Sequence, residues 1–153
     1  MISIGLPAVK TRFLAEAIGS VLRQHYTDFE IVVCNDRADG GIRTIVGEFD
    51  DPRIRYVEGT GPLEVVENWN QTLSLARGEF FVLFSDDDRY HPDFLGEMLR
   101  LASGYPGCNL FRSRVNRIGP SGQLLGTTAV CPEHEPLAEF LLHRVKGQRE
   151  QFA

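Results

Sequence analysis

Three adjacent aspartates are the feature of this sequence that most directly indicates chemistry. Asp86, Asp87 and Asp88 follow the apolar run Phe80–Phe84, which is typical of a buried strand. Adjacent carboxylates repel one another, and a hard cation such as Mg²⁺ or Mn²⁺ relieves the repulsion by binding one or two of them together with phosphate oxygens. Because ligands of open α/β sheets bind beyond the carboxyl ends of the strands, the position suits such a site. A solvated acidic turn at the start of the next helix is the alternative.

Two stretches that contain asparagine are weaker candidates. Asp36 follows Asn35 at the end of the apolar run Ile31–Cys34, where a carboxylate can accept a hydrogen bond from a nucleobase or a ribose. A simple Asx turn is the plainer explanation at that point. Asn70 follows Trp69 on a predicted helix. We expect Trp69 to lie in the core, and Asn70, one residue further round the helix, is then placed to face a nucleotide.

Missing motifs argue against several other classes of protein. No Gly-x-Gly-x-x-Gly follows the first predicted strand, which disfavours a dinucleotide dehydrogenase, and no P-loop motif is present. The sequence also lacks the Gly-x-Ser-x-Gly elbow of an α/β-hydrolase. The three cysteines, Cys34, Cys108 and Cys131, are an odd number without close spacing. They argue against a disulfide framework and against a Cys-x-x-Cys metal site, and they favour the reducing cytoplasm.

The charge distribution disfavours a nucleic-acid polymer as partner. Residues 1–99 contain 9 lysines and arginines against 17 aspartates and glutamates, and such an acidic surface repels a polyanion. A small anion can still bind where a metal ion or a helix N-terminus supplies positive charge. No apolar run approaches the roughly 18 residues that span a bilayer, and the N-terminus lacks the basic flank of a signal peptide. We therefore expect a cytoplasmic protein.

The elements that must position these residues alternate between strands and helices. Short apolar runs predict strands at Ile2–Leu6, Glu30–Asn35, Ile54–Val57 and Phe80–Phe84, the last of them buried on both faces. A stripe at helical spacing predicts a first helix on Leu14, Ala17, Ile18, Val21 and Leu22, a second helix covers Ile42–Phe49, and another begins at Pro92. The helix before the aspartates is predicted from one face, which comprises Leu63, Val66, Trp69, Asn70, Leu73 and Ala76, and Gly78 is its predicted C-terminal cap. This order favours a mostly parallel central sheet with helices on both faces.

The pattern changes after Pro106. Leu110–Ile118 and Gln123–Val130 flank the turn sequence Gly-Pro-Ser-Gly, which favours an antiparallel pair. Pro136–Val145 then predicts a helix, and no further strand follows it. We expect an α/β fold that is incomplete at its C-terminus.

Several blocks in this order are similar to family 2 of the glycosyltransferases, which have the GT-A fold. The match spans about residues 2–103, with a fainter similarity to the end. Phe13–Val33 resembles the family's first helix and second strand, Asp51–Tyr56 the entry to its third strand, and Ala76–Phe80 and Asp87–Asp93 the approach to and exit from its metal motif. We therefore expect a nucleotide-sugar-binding part over residues 1–103 and the start of an acceptor-side part, truncated, over 104–153.

The resemblance implies roles for the candidate residues. The base of a nucleoside-diphosphate sugar, often UDP, would lie near the ends of the first two strands, beside Pro7, Ala8, Val9 and Asp36. Asp86 and Asp87 would contact the nucleotide sugar, and Asp88 together with Asp86 would hold Mn²⁺ or Mg²⁺. An acceptor hydroxyl, deprotonated by a carboxylate, then displaces the nucleotide with inversion, while the metal stabilises the leaving diphosphate.

The sequence departs from the family pattern at several places. Pro7-Ala8-Val9-Lys10 stands where the family usually has Pro-Thr-Tyr-Asn, and Ser85 stands where it usually has the first aspartate of the metal motif. No later carboxylate matches the family's general base, the candidates being Glu133, Glu135, Glu139 and Glu150. We expect that base to lie beyond residue 153.

The function that these observations favour is metal-dependent, inverting transfer of a sugar to a glycan, a lipid-linked acceptor or another hydroxyl. A non-catalytic nucleotide- or metal-binding module, or an inactive piece of such an enzyme, is the main alternative. A sugar-phosphate nucleotidyltransferase is a poorer third, because its glycine-rich loop after the first strand is absent. The resemblance leaves open peripheral association with the inner face of the membrane and formation of a homo-oligomer.

Overall fold

The computed structural model describes residues 1–59, 61–130 and 132–140. The chain divides into two compact units, Met1–Arg100 and Leu101–Ala153. The first unit contains a parallel sheet of four strands in the order β3-β2-β1-β4, formed by β1 (Ile2–Pro7), β2 (Phe29–Asn35), β3 (Ile54–Glu58) and β4 (Phe80–Leu83). The predicted strands and their parallel arrangement are confirmed. The functional division after residue 103 stays a prediction.

Three helices cover one face of this sheet: α1 (Leu14–Leu22), α2 (Gly40–Gly47) and α4, which begins at Phe94 and ends at Gly104. Side chains alternate between the two faces of a strand, so Ile2, Ile4 and Leu6 of β1 lie on the same face. They are joined in the main core by apolar residues of β2 and of the three helices, namely Ile31, Val33, Leu14, Ala17, Ile18, Val21, Ile42, Val46 and Leu95. The stripe predicted for the first helix is confirmed.

Helix α3 (Val65–Ser74) packs on the opposite face, and it presents a different side from the one expected. Its buried residues are Asn68 and Thr72, whereas Val66, Trp69 and Leu73 are 62%, 46% and 49% exposed. The prediction that Trp69 and its apolar neighbours face the core is therefore wrong. The physical reason is close approach, because a Cβ added at Gly5 would lie 2.6 Å from the Thr72 side chain. A small residue must face the sheet there, and this requirement outweighs the apolar periodicity.

Gly78 has a different role from the predicted helix cap. Helix α3 already ends at Ser74, and its C-cap is Leu75. A Cβ at Gly78 would lie 2.6 Å from the backbone nitrogen of Ser3, so the glycine allows the chain to pass close to β1 just before β4 begins.

Strand β4 is an edge strand in the described part of the chain, where it pairs with β1 alone. Its first three residues are half-buried, and Leu83 is 39% exposed. The prediction that this strand is buried on both faces is wrong, since an apolar run has the same composition in a central strand and in an edge strand.

The second unit contains an antiparallel pair, β5 (Asn116–Ile118) and β6 (Leu124–Thr127). Gly122 in the connecting turn has a φ of 81°, a conformation that favours glycine. The predicted hairpin is confirmed, but both strands are shorter than expected. Of the predicted helix Pro136–Val145, a helical turn over residues 137–140 is observed, and the remainder lies outside the described residues. None of the helices within the described ranges is long and apolar enough to cross a membrane.

Candidate functional site

The strand order creates a crevice at the carboxyl end of β1. The chain passes from β1 to β2 and β3 on one side, and β4 then lies on the other side of β1. The loops that follow β1 and β4 therefore leave the sheet at the point where the strand order reverses. Ligands of open α/β sheets bind at such switch points. The loops bordering this crevice begin at Ala8 and at Phe84.

Asp86 ties these two loops together. Its Oδ2 accepts hydrogen bonds from the backbone N–H of Val9 at 2.7 Å and of Lys10 at 2.6 Å. The residue is only 6% exposed. Its other oxygen, Oδ1, accepts no hydrogen bond from any residue within the described ranges. Asp86 thus fixes the loop after β1, and one of its carboxylate oxygens has no partner among the described residues.

Asp87 and Asp88 are exposed beside it. The Nζ of Lys10 lies 3.3 Å from Oδ2 of Asp87. Partial burial of the Asp88 carboxyl raises its pKa, the charges of Asp87 and Asp86 raise it further, and a hydrogen bond from the Ser85 side chain opposes the shift. A cation bound nearby would favour the ionised form of Asp88 and reverse that shift.

The donor atoms of this cluster fit a hard divalent cation, since all of them are carboxylate oxygens. Across residues 1–59, 61–130 and 132–140, no three His, Cys, Asp or Glu side chains are arranged to enclose an ion. A cage made by the protein alone is therefore not present in that part of the chain. Mg²⁺ commonly binds through one or two carboxylates and takes its remaining ligands from substrate phosphates and water. The aspartates suit a site of that kind, in which phosphate and water oxygens would supply the remaining ligands.

The turn after β2 is closed by Asn35. This residue is fully buried, and its Nδ2 donates to the backbone oxygen of Asp39 at 2.9 Å and to the hydroxyl of Tyr56 at 2.8 Å. Its Oδ1 accepts from the backbone N–H of Asp39 at 3.2 Å. Within the turn, Ala38 has a φ of 54°, in the left-handed region. The Asn35 side chain therefore provides the hydrogen bonds that close this turn. The Asp36 side chain is not needed for them.

Asp36 has one oxygen with a partner and one without. Its Oδ2 accepts from the backbone N–H of Leu63 at 2.9 Å, while its Oδ1 is buried and has no hydrogen-bond partner. The residue is 2% exposed. Gly59 allows the β3–α3 loop to approach, since a Cβ there would lie 2.9 Å from the Asp36 Cα. A buried polar atom without a partner costs about 1–3 kcal/mol, which a hydrogen-bond donor on a ligand would recover.

The other predicted contact residues differ in their accessibility. Pro7 ends β1 and is half-buried, and Ala8 is buried with its N–H donating to the oxygen of Cys34 at 2.8 Å. The Val9 side chain is 40% exposed. Asn70 is exposed on α3, and no hydrogen bond within the described ranges joins it to the loops of the crevice. Contact of these four residues with a nucleotide stays a prediction.

Two polar side chains, one on α1 and one just after it, hold the loop that follows the aspartates. The sequence pattern did not predict this role. The Ser20 hydroxyl accepts from the N–H of Tyr90 at 3.1 Å. The Gln24 amide donates to the oxygen of His91 at 2.6 Å and accepts from the N–H of Leu95 at 3.0 Å. Both side chains are buried. Their i, i+4 spacing on an otherwise apolar helix face was the signal that could have revealed them.

Asn68 is a further buried polar residue, for which the sequence pattern predicted no role. It is 3% exposed, and its Oδ1 has no hydrogen-bond partner. The predicted apolar face of α3 placed Asn70, and not Asn68, on the side towards a nucleotide. The spacing of Asn68 and Thr72, i and i+4, marks the face that packs on the sheet.

The open parallel sheet, with helices on both faces and an acidic cluster at its switch point, defines an α/β protein. The solved mannosyltransferase PcManGT from Pyrobaculum calidifontis, in complex with GDP-Man and Mn²⁺, has the same GT-A fold with a TM-score of 0.61 and 20% identity. The match covers 67% of this chain and 32% of that one. The family model described as glycosyl transferase family 2 matches residues 3–147, and the chain belongs to that family.

Curated relatives are similar over the same region. WcaA of Escherichia coli, assigned to colanic acid biosynthesis as a glycosyl transferase, is 33% identical over 102 residues, which cover 65% of this chain and 37% of WcaA. WfgD of Escherichia coli, a UDP-Glc:alpha-D-GlcNAc-diphosphoundecaprenol beta-1,3-glucosyltransferase, is 30% identical over 89 residues, or 58% of this chain and 35% of WfgD. The matched region thus spans about a third of the length of these relatives.

Proposed function

We propose that the complete protein is an inverting glycosyltransferase and that this chain supplies the part that binds the nucleoside-diphosphate sugar. The observation that carries the proposal is the Asp86 carboxylate, which joins the loops after β1 and β4 and sets Asp87 and Asp88 beside the switch point. Family membership supports the same reaction class. The transferred sugar would leave its nucleotide and bond to an acceptor hydroxyl.

The nucleoside end of the sugar donor would lie beside Asp36. Its buried, unpartnered Oδ1 is suited to accept a hydrogen bond from a base N–H or a ribose hydroxyl. Pro7, Ala8 and Val9 would line the base, and Asn70 would reach the nucleotide from α3. UDP is our first candidate because WfgD is named for UDP-Glc, although PcManGT was solved with GDP-Man. Thermal shifts with UDP-, GDP- and dTDP-sugars measure the preference, because a ligand that binds the native state alone raises its stability.

The diphosphate end would lie beside the aspartates. Asp86 and Asp87 would contact the nucleotide sugar, and Asp88 with Oδ1 of Asp86 would hold Mn²⁺ or Mg²⁺. When bound, the cation supplies positive charge where the leaving diphosphate gains negative charge. The role of the chain itself is to orient the ligand, with the loop after β1 held in place by Asp86.

Deprotonation of the acceptor requires a carboxylate base, which we propose lies outside residues 1–153. Glu133 already accepts a hydrogen bond from the Tyr105 hydroxyl, and Glu135 forms an ion pair with Arg112 at 2.6 Å. The acceptor is proposed to be a glycan or a lipid-linked hydroxyl, because the name of WfgD includes a diphosphoundecaprenol acceptor. A cytoplasmic location at the inner face of the membrane suits such an acceptor, and co-sedimentation with lipid vesicles tests that association.

Calorimetric titration of UDP in Mn²⁺ and in EDTA tests the proposal. We expect tighter binding in Mn²⁺, because the cation joins the diphosphate to the aspartates. Asp88→Asn should lower the apparent Mn²⁺ affinity by at least about tenfold while the fold is retained, since the substitution removes charge at nearly constant volume. Asp50→Asn is the matched control, because Asp50 is exposed and precedes β3 at the opposite end of the sheet. Equal UDP affinity in Mn²⁺ and EDTA would rule out the metal role.

A further inference from the structure

The loop after β1 brings a lysine to the acidic cluster. The Nζ of Lys10 lies 3.3 Å from Oδ2 of Asp87, and the backbone N–H of Lys10 is held by Asp86 at 2.6 Å. The backbone of Lys10 is therefore fixed, while its side chain is 68% exposed and that of Asp87 44% exposed. An exposed ion pair of this kind contributes about 0–1 kcal/mol, so a stronger partner can displace it.

Binding of a diphosphate in the crevice requires a positive charge nearby. Asp86, Asp87 and Asp88 are adjacent, and the proposed ligand carries a diphosphate, so repulsion between carboxylates and phosphates opposes binding. Among the ion pairs of the described residues, the pair with Lys10 is the one that reaches this cluster. A lysine ammonium on a flexible stem of four carbons can turn from one anion to another without movement of the backbone.

We propose that Lys10 is a ligand of the sugar donor's diphosphate and that Asp87 holds it in the absence of the nucleotide. On binding, the ammonium turns from Asp87 to a phosphate oxygen and forms a charge-assisted hydrogen bond. This inference rests on the proposed binding of a nucleoside diphosphate. The Lys10 ammonium is a positive charge that the chain itself supplies. It lies beside the same aspartates that would attract a divalent ion.

Two measurable consequences follow from this arrangement. Part of the affinity for a nucleoside diphosphate persists without a divalent cation, because Lys10 still contacts the phosphates. Without nucleotide, Lys10 and Mn²⁺ compete for the carboxylates of the acidic cluster. Removal of the lysine charge therefore tightens Mn²⁺ binding.

The test compares Lys10→Met with Arg12→Met in the whole chain. Arg12 is the matched control, because it lies in the same loop, carries the same charge and has its guanidinium over the Phe13 ring at 4.8 Å. UDP and uridine are titrated calorimetrically in EDTA and in Mn²⁺, and Mn²⁺ is titrated alone. We expect Lys10→Met to weaken UDP binding in EDTA by about tenfold, the size of one charge-assisted hydrogen bond, and to leave uridine binding unchanged. It should also tighten Mn²⁺ binding about threefold, and Arg12→Met should change each affinity by less than about twofold.

Lys10→Arg should restore most of the UDP affinity, since it returns a cation to the same position. Unchanged UDP affinity in Lys10→Met would overturn the proposal. Equal weakening by the two methionine variants would also overturn it, because it would show only that the loop had lost a positive charge. Unchanged Mn²⁺ affinity would refute the competition with the cation. If the unsubstituted chain binds none of UDP, GDP and dTDP in either buffer, the proposed function itself fails, and the role of Lys10 fails with it.

Discussion

Asp36 and Asp86 lie in the loops that follow β2 and β4, and each uses one carboxylate oxygen to hold a neighbouring loop. In each residue Oδ2 accepts from the backbone N–H of a neighbouring loop. The Oδ1 of Asp36 is buried without a partner, and the Oδ1 of Asp86 accepts from no described residue. A carboxylate used in this way fixes a loop and leaves its second oxygen without a partner among the described residues.

Asp36→Asn tests the nucleoside contact. The amide oxygen of asparagine can still accept from Leu63, but its NH₂ group replaces the free Oδ1 and cannot accept a hydrogen bond. We expect uridine and UDP binding to weaken by a similar free energy, about 1–3 kcal/mol. Asp39→Asn in the same turn is the control, because asparagine caps helices about as well as aspartate does. A loss confined to UDP would place Asp36 near the phosphates instead.

The positions of the acidic residues could be predicted from the sequence, whereas their hydrogen bonds could not. Asp36 and the cluster around Asp86 directly follow apolar runs, so the strand pattern alone places them at the carboxyl edge of the sheet. Which oxygen binds Val9 or Leu63 depends on loop conformations that no local pattern encodes. The structural use of Asp86 therefore became evident only from the geometry.

A polar layer, and not an apolar one, joins the sheet to the segment between α3 and β4. Glu30 is 8% exposed, and its Oε1 accepts from the hydroxyl of Ser3 at 2.6 Å and from the N–H of Arg77 at 2.8 Å. Its Oε2 lies 3.2 Å from Nη2 of Arg55. Burial alone raises the pKa of Glu30, but the hydrogen bonds from Ser3 and Arg77 and the charge of Arg55 outweigh it, so the pKa lies below its usual value.

Glu30→Gln should change the dependence of stability on pH. A carboxyl whose pKa is lowered in the folded state stabilises the fold fully above its ordinary pKa, and this contribution is lost as the pH falls through the lowered value. At neutral pH we expect the free energy of unfolding to fall by about 1–3 kcal/mol. The loss should shrink in acid, as urea titrations at several pH values would reveal.

Glu79→Gln is the control for that experiment, because Glu79 lies in the same segment and is exposed. A loss of stability in Glu30→Gln that stayed constant from neutral to acidic pH would contradict the ionic role of Glu30.

Element types could be predicted more reliably than element orientation. The stripe of α1 packs as its spacing indicates, because its face of the sheet is apolar. Helix α3 lies over Gly5, where close approach to the sheet, and not apolar spacing, determines which side of the helix is buried. The same limit applies to β4, whose place at the edge of the sheet depends on strand order and not on its own composition.

At the scale of the whole molecule, we propose that binding of the sugar donor and transfer of the sugar belong to different parts of the protein. Every residue proposed to bind the nucleotide sugar lies in the unit Met1–Arg100. The matched region spans about a third of the length of the curated relatives. In the second unit, Glu133 and Glu135 already have hydrogen-bond or ion-pair partners. We therefore propose that this chain contributes the binding of the sugar donor to the reaction.

We expect the chain alone to release nucleotide diphosphate from a bound sugar donor slowly, with no increase when an acceptor is added. A missing general base costs about 10²–10⁴-fold in rate, and loss of acceptor positioning adds to that deficit. The measurement is UDP release with and without candidate acceptors, for this chain and for a longer parent protein. Robust acceptor-dependent turnover by residues 1–153 would contradict the expectation and direct the search for the base to Glu133, Glu135 and Glu139. A parent protein without transfer activity would instead favour a non-catalytic binding module.

The orientation of α3 also determines what the intrinsic fluorescence of this protein reports. Trp69 is the single tryptophan of the sequence, and it is 46% exposed on the outer side of α3, away from the main core. An indole in contact with water emits at long wavelength already in the native protein, so its emission maximum is a poor indicator of unfolding. The same indole is a sensitive reporter of any polypeptide or lipid surface that covers α3.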